Sequence, residues 1–141
     1  MDLIAKKGSA KNEIQPAVLP TWKKNFVIGI DDCICVTSTL GRTLSAKGVR
    51  EAIEVKGARS WVNRRYDEGH NICFLTTRGE KLRPATESWL KQHGFKYHSL
   101  IMNKPKAREY HYIDDRHVQA TTFRGKFAPL VRKEYEIQVF S

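Results

Sequence analysis

Apolar residues first gather at positions 26–30 (FVIGI), an unbroken run of strand length, the kind found in strands covered on both faces. The run stops at Asp31 and Asp32. Between 49 and 66 the apolar positions Val49, Ala52, Ile53, Ala58, Trp61 and Val62 recur mostly three or four residues apart. That spacing predicts an amphipathic helix, or two short ones interrupted near Gly57, with Gly69 as the stop. A second strand follows at Asn71–Leu75, and Pro84 opens a second helix that turns Trp89 and Leu90 inward and ends at Gly94. Residues 99–102 are expected as a third strand, 110–113 as a fourth running into Asp114 and Asp115, and 136–140 as a short terminal strand. Residues 1–24 show no periodicity and contain Pro16 and Pro20, so they are expected as an arm ahead of one domain at 25–141.

Strands alternating with helices imply an α/β domain with a mainly parallel sheet and flanking helices, and 141 residues leave room for one core. In such sheets chemistry collects beyond the carboxyl ends of the strands. The polar residues fall there: Asp31 and Asp32, Thr76 and Thr77, Asn103 and Lys104, Asp114 and Asp115. Phosphoryl chemistry needs a cation, carboxylates to hold it, a hydroxyl or amide on a phosphate oxygen, and a group that attacks or activates water. Mg²⁺ takes hard oxygen ligands, which Asp31, Asp114 and Asp115 can supply. Thr76 offers a hydroxyl and Lys104 a point charge; Thr77 and Arg78 extend the candidate phosphate contacts, Arg78 being otherwise one more surface charge.

In order and spacing these segments resemble the haloacid-dehalogenase (HAD) superfamily, especially its small capless members similar to capsule-biosynthesis phosphatases. Residues 62–79 (VNRRYDEGHNICFLTTRG) resemble the family's helix, turn, strand and second motif, which implies Thr76 as the phosphate-binding hydroxyl. Residues 86–107 resemble the segment leading to the third-motif lysine, which falls on Lys104, and YIDDR at 112–116 resembles the acidic fourth motif. The resemblance therefore implies a single Rossmann-like domain without a cap, a phosphate site at Thr76 and Lys104, and Mg²⁺ at Asp31, Asp114 and Asp115. The first motif departs from the pattern. The ungapped match GIDDCIC sets Gly29 where the nucleophilic aspartate belongs, keeps the general acid/base as Asp31, and replaces a glycine by Asp32. Glycine cannot attack phosphorus or ligate a metal, so no aspartyl-phosphate can form there and Mg²⁺ is expected to be weakly held or absent. A register shifted by two would make Asp31 the nucleophile, with Cys33 in the acid/base place.

Two functions compete. One is a non-catalytic binding or assembly subunit with a degenerate phosphate site; the other is a Mg²⁺-dependent phosphomonoester hydrolase acting through Asp31 or Asp32, with Thr76 and Lys104 on the phosphate. Charge bears on the choice: 25 Lys+Arg against 15 Asp+Glu give +10, and the arm carries Lys6, Lys7, Lys11, Lys23 and Lys24. Such a surface attracts polyanions, so a nucleic acid or nucleoprotein partner is expected, or a protein partner. No apolar run approaches the span of a bilayer, and a cytoplasmic location is expected. Cys33, Cys35 and Cys73 are an odd set without a second metal-spaced pair, so they are expected as reduced thiols. The five histidines form no metal spacing, and Trp61 and Trp89 are expected in the core.

Overall fold

The computed structural model describes residues 20, 22–37, 44–123 and 127. Most of the basic arm and the strand expected at 136–140 lie outside the described residues. Three parallel strands form the main sheet: β1 (Asn25–Ile28), β4 (Asn71–Leu75) and β5 (Ser99–Ile101), in the order β1-β4-β5. Between β1 and β4 the chain makes β2 (Cys35–Val36), helix α1 (Ala46–Arg50), β3 (Ile53–Glu54) and helix α2 (Ala58–Asp67); a 3₁₀ turn (Glu80–Leu82) and helix α3 (Arg83–Gln92) join β4 to β5. The chain is thus a mixed α/β fold, a small Rossmann-like domain with helices flanking a parallel sheet.

Central position dictates β4's composition. Ile72, Cys73 and Phe74 are all buried, because strands pair on both sides and helices cover the faces. Helices α2 and α3 both end in the same device. Gly69 (φ 93°) and Gly94 (φ 73°) adopt left-handed backbone, which returns the next two N–H groups to the last helical carbonyls: Gly69 to Tyr66 and His70 to Arg65, Gly94 to Lys91 and Phe95 to Leu90. Pro84 sits in the first turn of α3, where a missing N–H costs nothing. Trp89 is fully buried against Phe95 and His93, and its indole N–H donates to Ala52 O at 2.9 Å. Trp61 is only half-buried, packing on Phe26 with the Arg65 guanidinium 4.3 Å from its ring centre.

Of the two readings of the stretch at 49–66, the structure has the two short helices interrupted before Gly57 (φ 84°), which starts α2, and the break holds a strand not expected there, β3, paired antiparallel with β2. Three expectations are corrected. β1 is an edge strand rather than a doubly covered one, with Val27 53% exposed, because among the described residues it pairs on one side only. Its run also leaves the ladder at Ile28, although Ile30 stays in the core. Residues 110–113 form no strand. Ile113 is 92% exposed, and the two tyrosine hydroxyls bond locally, Tyr110 to Pro105 O and Tyr112 to Asp114. Alternation alone gives a strand no surface to bury against, and this segment has none here.

Candidate functional site

Beyond Ile28 the chain turns sharply. The N–H groups of Cys33, Ile34 and Cys35 all point at Ile30 O (3.0, 3.0 and 3.3 Å), and Asp32 adopts φ 56°. The left-handed conformation suits an aspartate, whose short side chain hydrogen-bonds locally: Asp32 Oδ1 accepts from Thr37 N at 3.0 Å. This turn presents Asp31 to the end of β4. The turns after β4 and β5 are laced together, Asn103 N–H donating to Arg78 O (2.8 Å) and Lys104 N–H to Thr76 O (2.9 Å). Asp31, Thr76, Arg78 and the Lys104 backbone therefore meet at one end of the sheet.

Arg78 dominates that meeting point. Its side chain is 3% exposed, and Nη2 and Nε both donate to Asp31 Oδ1, at 2.8 and 3.2 Å. Nη1 donates to Thr86 Oγ1 on α3 at 2.9 Å, and Nη2 lies 3.6 Å from Cys35 Sγ. Thr76 Oγ1 donates to the other Asp31 oxygen, Oδ2, at 3.3 Å and accepts from Arg78 N at 3.1 Å. Both oxygens of Asp31 are thus engaged by the protein itself, and a buried cation is neutralised by a carboxylate that keeps 30% of its side-chain exposure.

The remaining candidates are placed differently. Thr77 is half-buried between Thr76 and Arg78, and its side chain bonds no other described residue. The Lys104 ammonium lies 3.8 Å from the Tyr110 ring centre, a cation–π contact. Asp114 accepts from Tyr112 Oη (2.8 Å) and Arg116 N (3.2 Å), and the Tyr112 hydroxyl holds its carboxyl below the usual range. Asp115 faces Arg116 at 4.0 Å with 87% of its side chain exposed. Asp114 and Asp115 lie in an exposed loop, and among the described residues no group of three His, Cys, Asp or Glu is arranged to hold a metal ion. Asp31 is paired with Arg78 while Asp114 and Asp115 stand in the loop after β5, so among the described residues the three carboxylates are not gathered at one point.

Burial pushes the Cys35 thiol up to about 12, against the opposing pull of Arg78. Cys33 is raised by burial and then by the Asp32 charge, with Lys104 opposing. Both thiols stay protonated at neutral pH, which makes them weak nucleophiles. At Gly29 an added Cβ would meet Cys33 Sγ at 3.0 Å, a tight contact that the Cys33 side chain would have to relieve by a few tenths of an ångström. Sequence reasoning missed Thr86 and the joining of Arg78 to Asp31. A polar threonine on the inward face of an otherwise apolar helix stripe was the available signal for Thr86.

No family model matches this sequence, and no curated protein does. A crystal structure of a target protein from Vibrio cholerae is similar at TM-score 0.49 with 20% identity, over 67% of this chain and 82% of that one.

Proposed function

We propose that this chain is a HAD-like binding or assembly subunit whose strand-end site is a structural remnant, and that it works on a polyanionic or nucleoprotein partner without catalysis. The observation that carries this reading is the engagement of Asp31. Arg78 takes one oxygen and Thr76 the other, so the carboxylate best placed to activate water or hold a cation is already satisfied. The second reading, a Mg²⁺-dependent phosphomonoester hydrolase, is favoured by one feature, the lacing of the Lys104 and Thr76 turns at a common strand end.

Turnover with Mg²⁺ over nucleotides, sugar phosphates and 5′-phosphorylated DNA and RNA ends separates the two. Wild-type protein should stay at background. Because Gly29→Asp alone would press on Cys33 Sγ, the companion variant is Gly29→Asp with Cys33→Ala; with Asp31 held by Arg78 and Thr76 it too should stay near background, and a clear gain of phosphatase activity would favour the hydrolase reading. Robust wild-type turnover abolished by Asp31→Asn would establish the hydrolase instead.

A further inference from the structure

Two histidines make the same contact at the same end of the sheet. His70 stands immediately before β4 and His98 immediately before β5. The Lys24 N–H donates to His70 Nδ1 at 3.0 Å, while Lys24 O accepts from the Asn71 N–H at 3.0 Å. In the next ladder the Ile72 N–H donates to His98 Nδ1 at 3.0 Å, while Ile72 O accepts from the His98 N–H at 2.9 Å. Each ladder thus opens with a ring nitrogen in the place of a backbone carbonyl. Aromatic neighbours hold both rings: His70 lies edge-on to Phe26 and Trp22, with ring centres 5.5 and 6.3 Å away, and His98 stacks on Tyr66 of α2 at 4.6 Å.

We propose that His70 and His98 form an acid-sensitive latch: while neutral they join the leading ends of β1, β4 and β5, and protonation at Nδ1 releases them. A nitrogen that accepts an N–H presents its lone pair there, so each ring carries its one proton on Nε2. A second proton goes to Nδ1 and sets two donors face to face. The backbone N–H then loses its acceptor, at a cost for Ile72 in particular, which is fully buried. Imidazole is the side chain that takes up such a proton in mildly acidic water, and the unfolded chain takes it without losing a hydrogen bond, so stability falls as pH falls. The surrounding charges do not reverse that sign. Lys24, Arg65 and Glu68 line one groove with His70, the Lys23 ammonium lies beside Gly69, and Glu68 is paired with Arg64. Beside His98 the Tyr66 ring also faces the Lys96 ammonium, which Asp67 holds at 2.8 Å. His93 is the contrast, its Nδ1 lying 3.2 Å from Glu54 Oε2, where a proton completes an ion pair.

The test uses the full chain, isotope-labelled for NMR. Near neutral pH the ring nitrogen chemical shifts should place the proton of both histidines on Nε2. Protection of the Ile72 N–H, corrected for the intrinsic pH dependence of exchange, should fall about tenfold between about pH 7.5 and about pH 5.5, as should that of Lys24. The Thr76 N–H, which donates to Ile101 O at the other end of β4, should keep its protection and so separates local release from global unfolding. Asparagine offers Oδ1 as an acceptor at the same reach and does not titrate. His98→Asn should therefore retain most of the Ile72 protection at neutral pH and change by no more than about twofold on acidification, and His70→Asn should do the same for Lys24. His98→Ala and His70→Ala should lose the protection at both pH values. A proton on Nδ1 of either ring at neutral pH overturns the proposal, as does an acid-induced loss at Ile72 that is equal in wild type and His98→Asn. The tautomer and the wild-type titration need no variant, so a substitution that fails to fold leaves the proposal open to refutation.

Discussion

The Arg78 guanidinium reaches Asp31, Thr86 and Cys35 from a side chain with almost no contact with water, so its charge is tolerable only while those partners hold. Removing one member of a buried pair strands the other. Arg78→Ala should cost about 2–4 kcal/mol in urea unfolding, below the extreme for a sealed pair because Asp31 retains some water. Arg78→Lys should recover only part, since an ammonium cannot reach Asp31 and Thr86 together. In a double-mutant cycle Asp31→Asn should be less costly in the Arg78→Ala background than in wild type. Cys35 gives a pH dependence of definite sign. Its folded pKa of about 12 lies above the unfolded value, so both states hold the proton at neutral pH and the unfolded state loses it first as pH rises. Stability should fall between about pH 9 and 12, by about 2–3 kcal/mol at pH 10.5, and Cys35→Ser should flatten that fall relative to wild type in paired melts. At this scale the sequence placed Asp31, Thr76 and Lys104 in the turns at one end of the sheet, Thr76 because the end of β4 can be read from its apolar run, and Asp31 even though β1 leaves the ladder at Ile28, before its run ends. It could not make the Arg78–Asp31–Thr86 junction legible, because that depends on how α3 packs across the sheet.

Elements differ in how much of their environment their own residues encode. β4 was legible to the residue because a strand covered on both faces must be apolar throughout, and α3 because Pro84 and Gly94 mark its two ends. The two-residue strands β2 and β3 are too short for any period, and β3 lay hidden within a helix-like spacing. β1 carries a central strand's composition at an edge, since nothing within FVIGI records which neighbours pair with it. Residues 110–113 show the converse, a strand-like alternation left in water. Ile113→Asp should therefore change the unfolding free energy by no more than about 0.5 kcal/mol, the range of a surface substitution. Leu100→Ala in β5 should cost about 2–5 kcal/mol, because Leu100 is buried in the core. A large loss in Ile113→Asp, read by the same urea titration, would show that the segment pairs with the sheet in solution and would return Asp114 to the strand ends.

For the whole molecule the governing quantity is charge. A chain at +10 presents polyanions with a field that needs no pocket, and Lys6, Lys7, Lys11, Lys23 and Lys24 of the arm are part of that charge. If the partner is a nucleic acid or nucleoprotein, lysines and arginines neutralise phosphates and release condensed counterions, so log affinity should fall linearly with log salt. Each phosphate contact contributes about 0.9 to the slope on duplex DNA and about 0.7 on single strands, so removing residues 1–19, which carry Lys6, Lys7 and Lys11 and leave the Lys24–Asn71 hydrogen bond in place, should lower it by up to about three contacts' worth. The strand-end site should matter little to this slope. Arg78 is buried and already paired, and Lys104 rests on the Tyr110 ring, so neither is disposed toward a duplex backbone. Titrations of short single- and double-stranded DNA and RNA at several salt concentrations, on wild type, the arm deletion and Lys104→Ala, distinguish the cases. Loss of binding with the arm and its retention in Lys104→Ala is the expected result. Binding indifferent to the arm yet lost in Lys104→Ala would put phosphate recognition back at the strand ends. No binding at low salt would remove nucleic acid and leave an acidic protein surface as the counterpart of the charge.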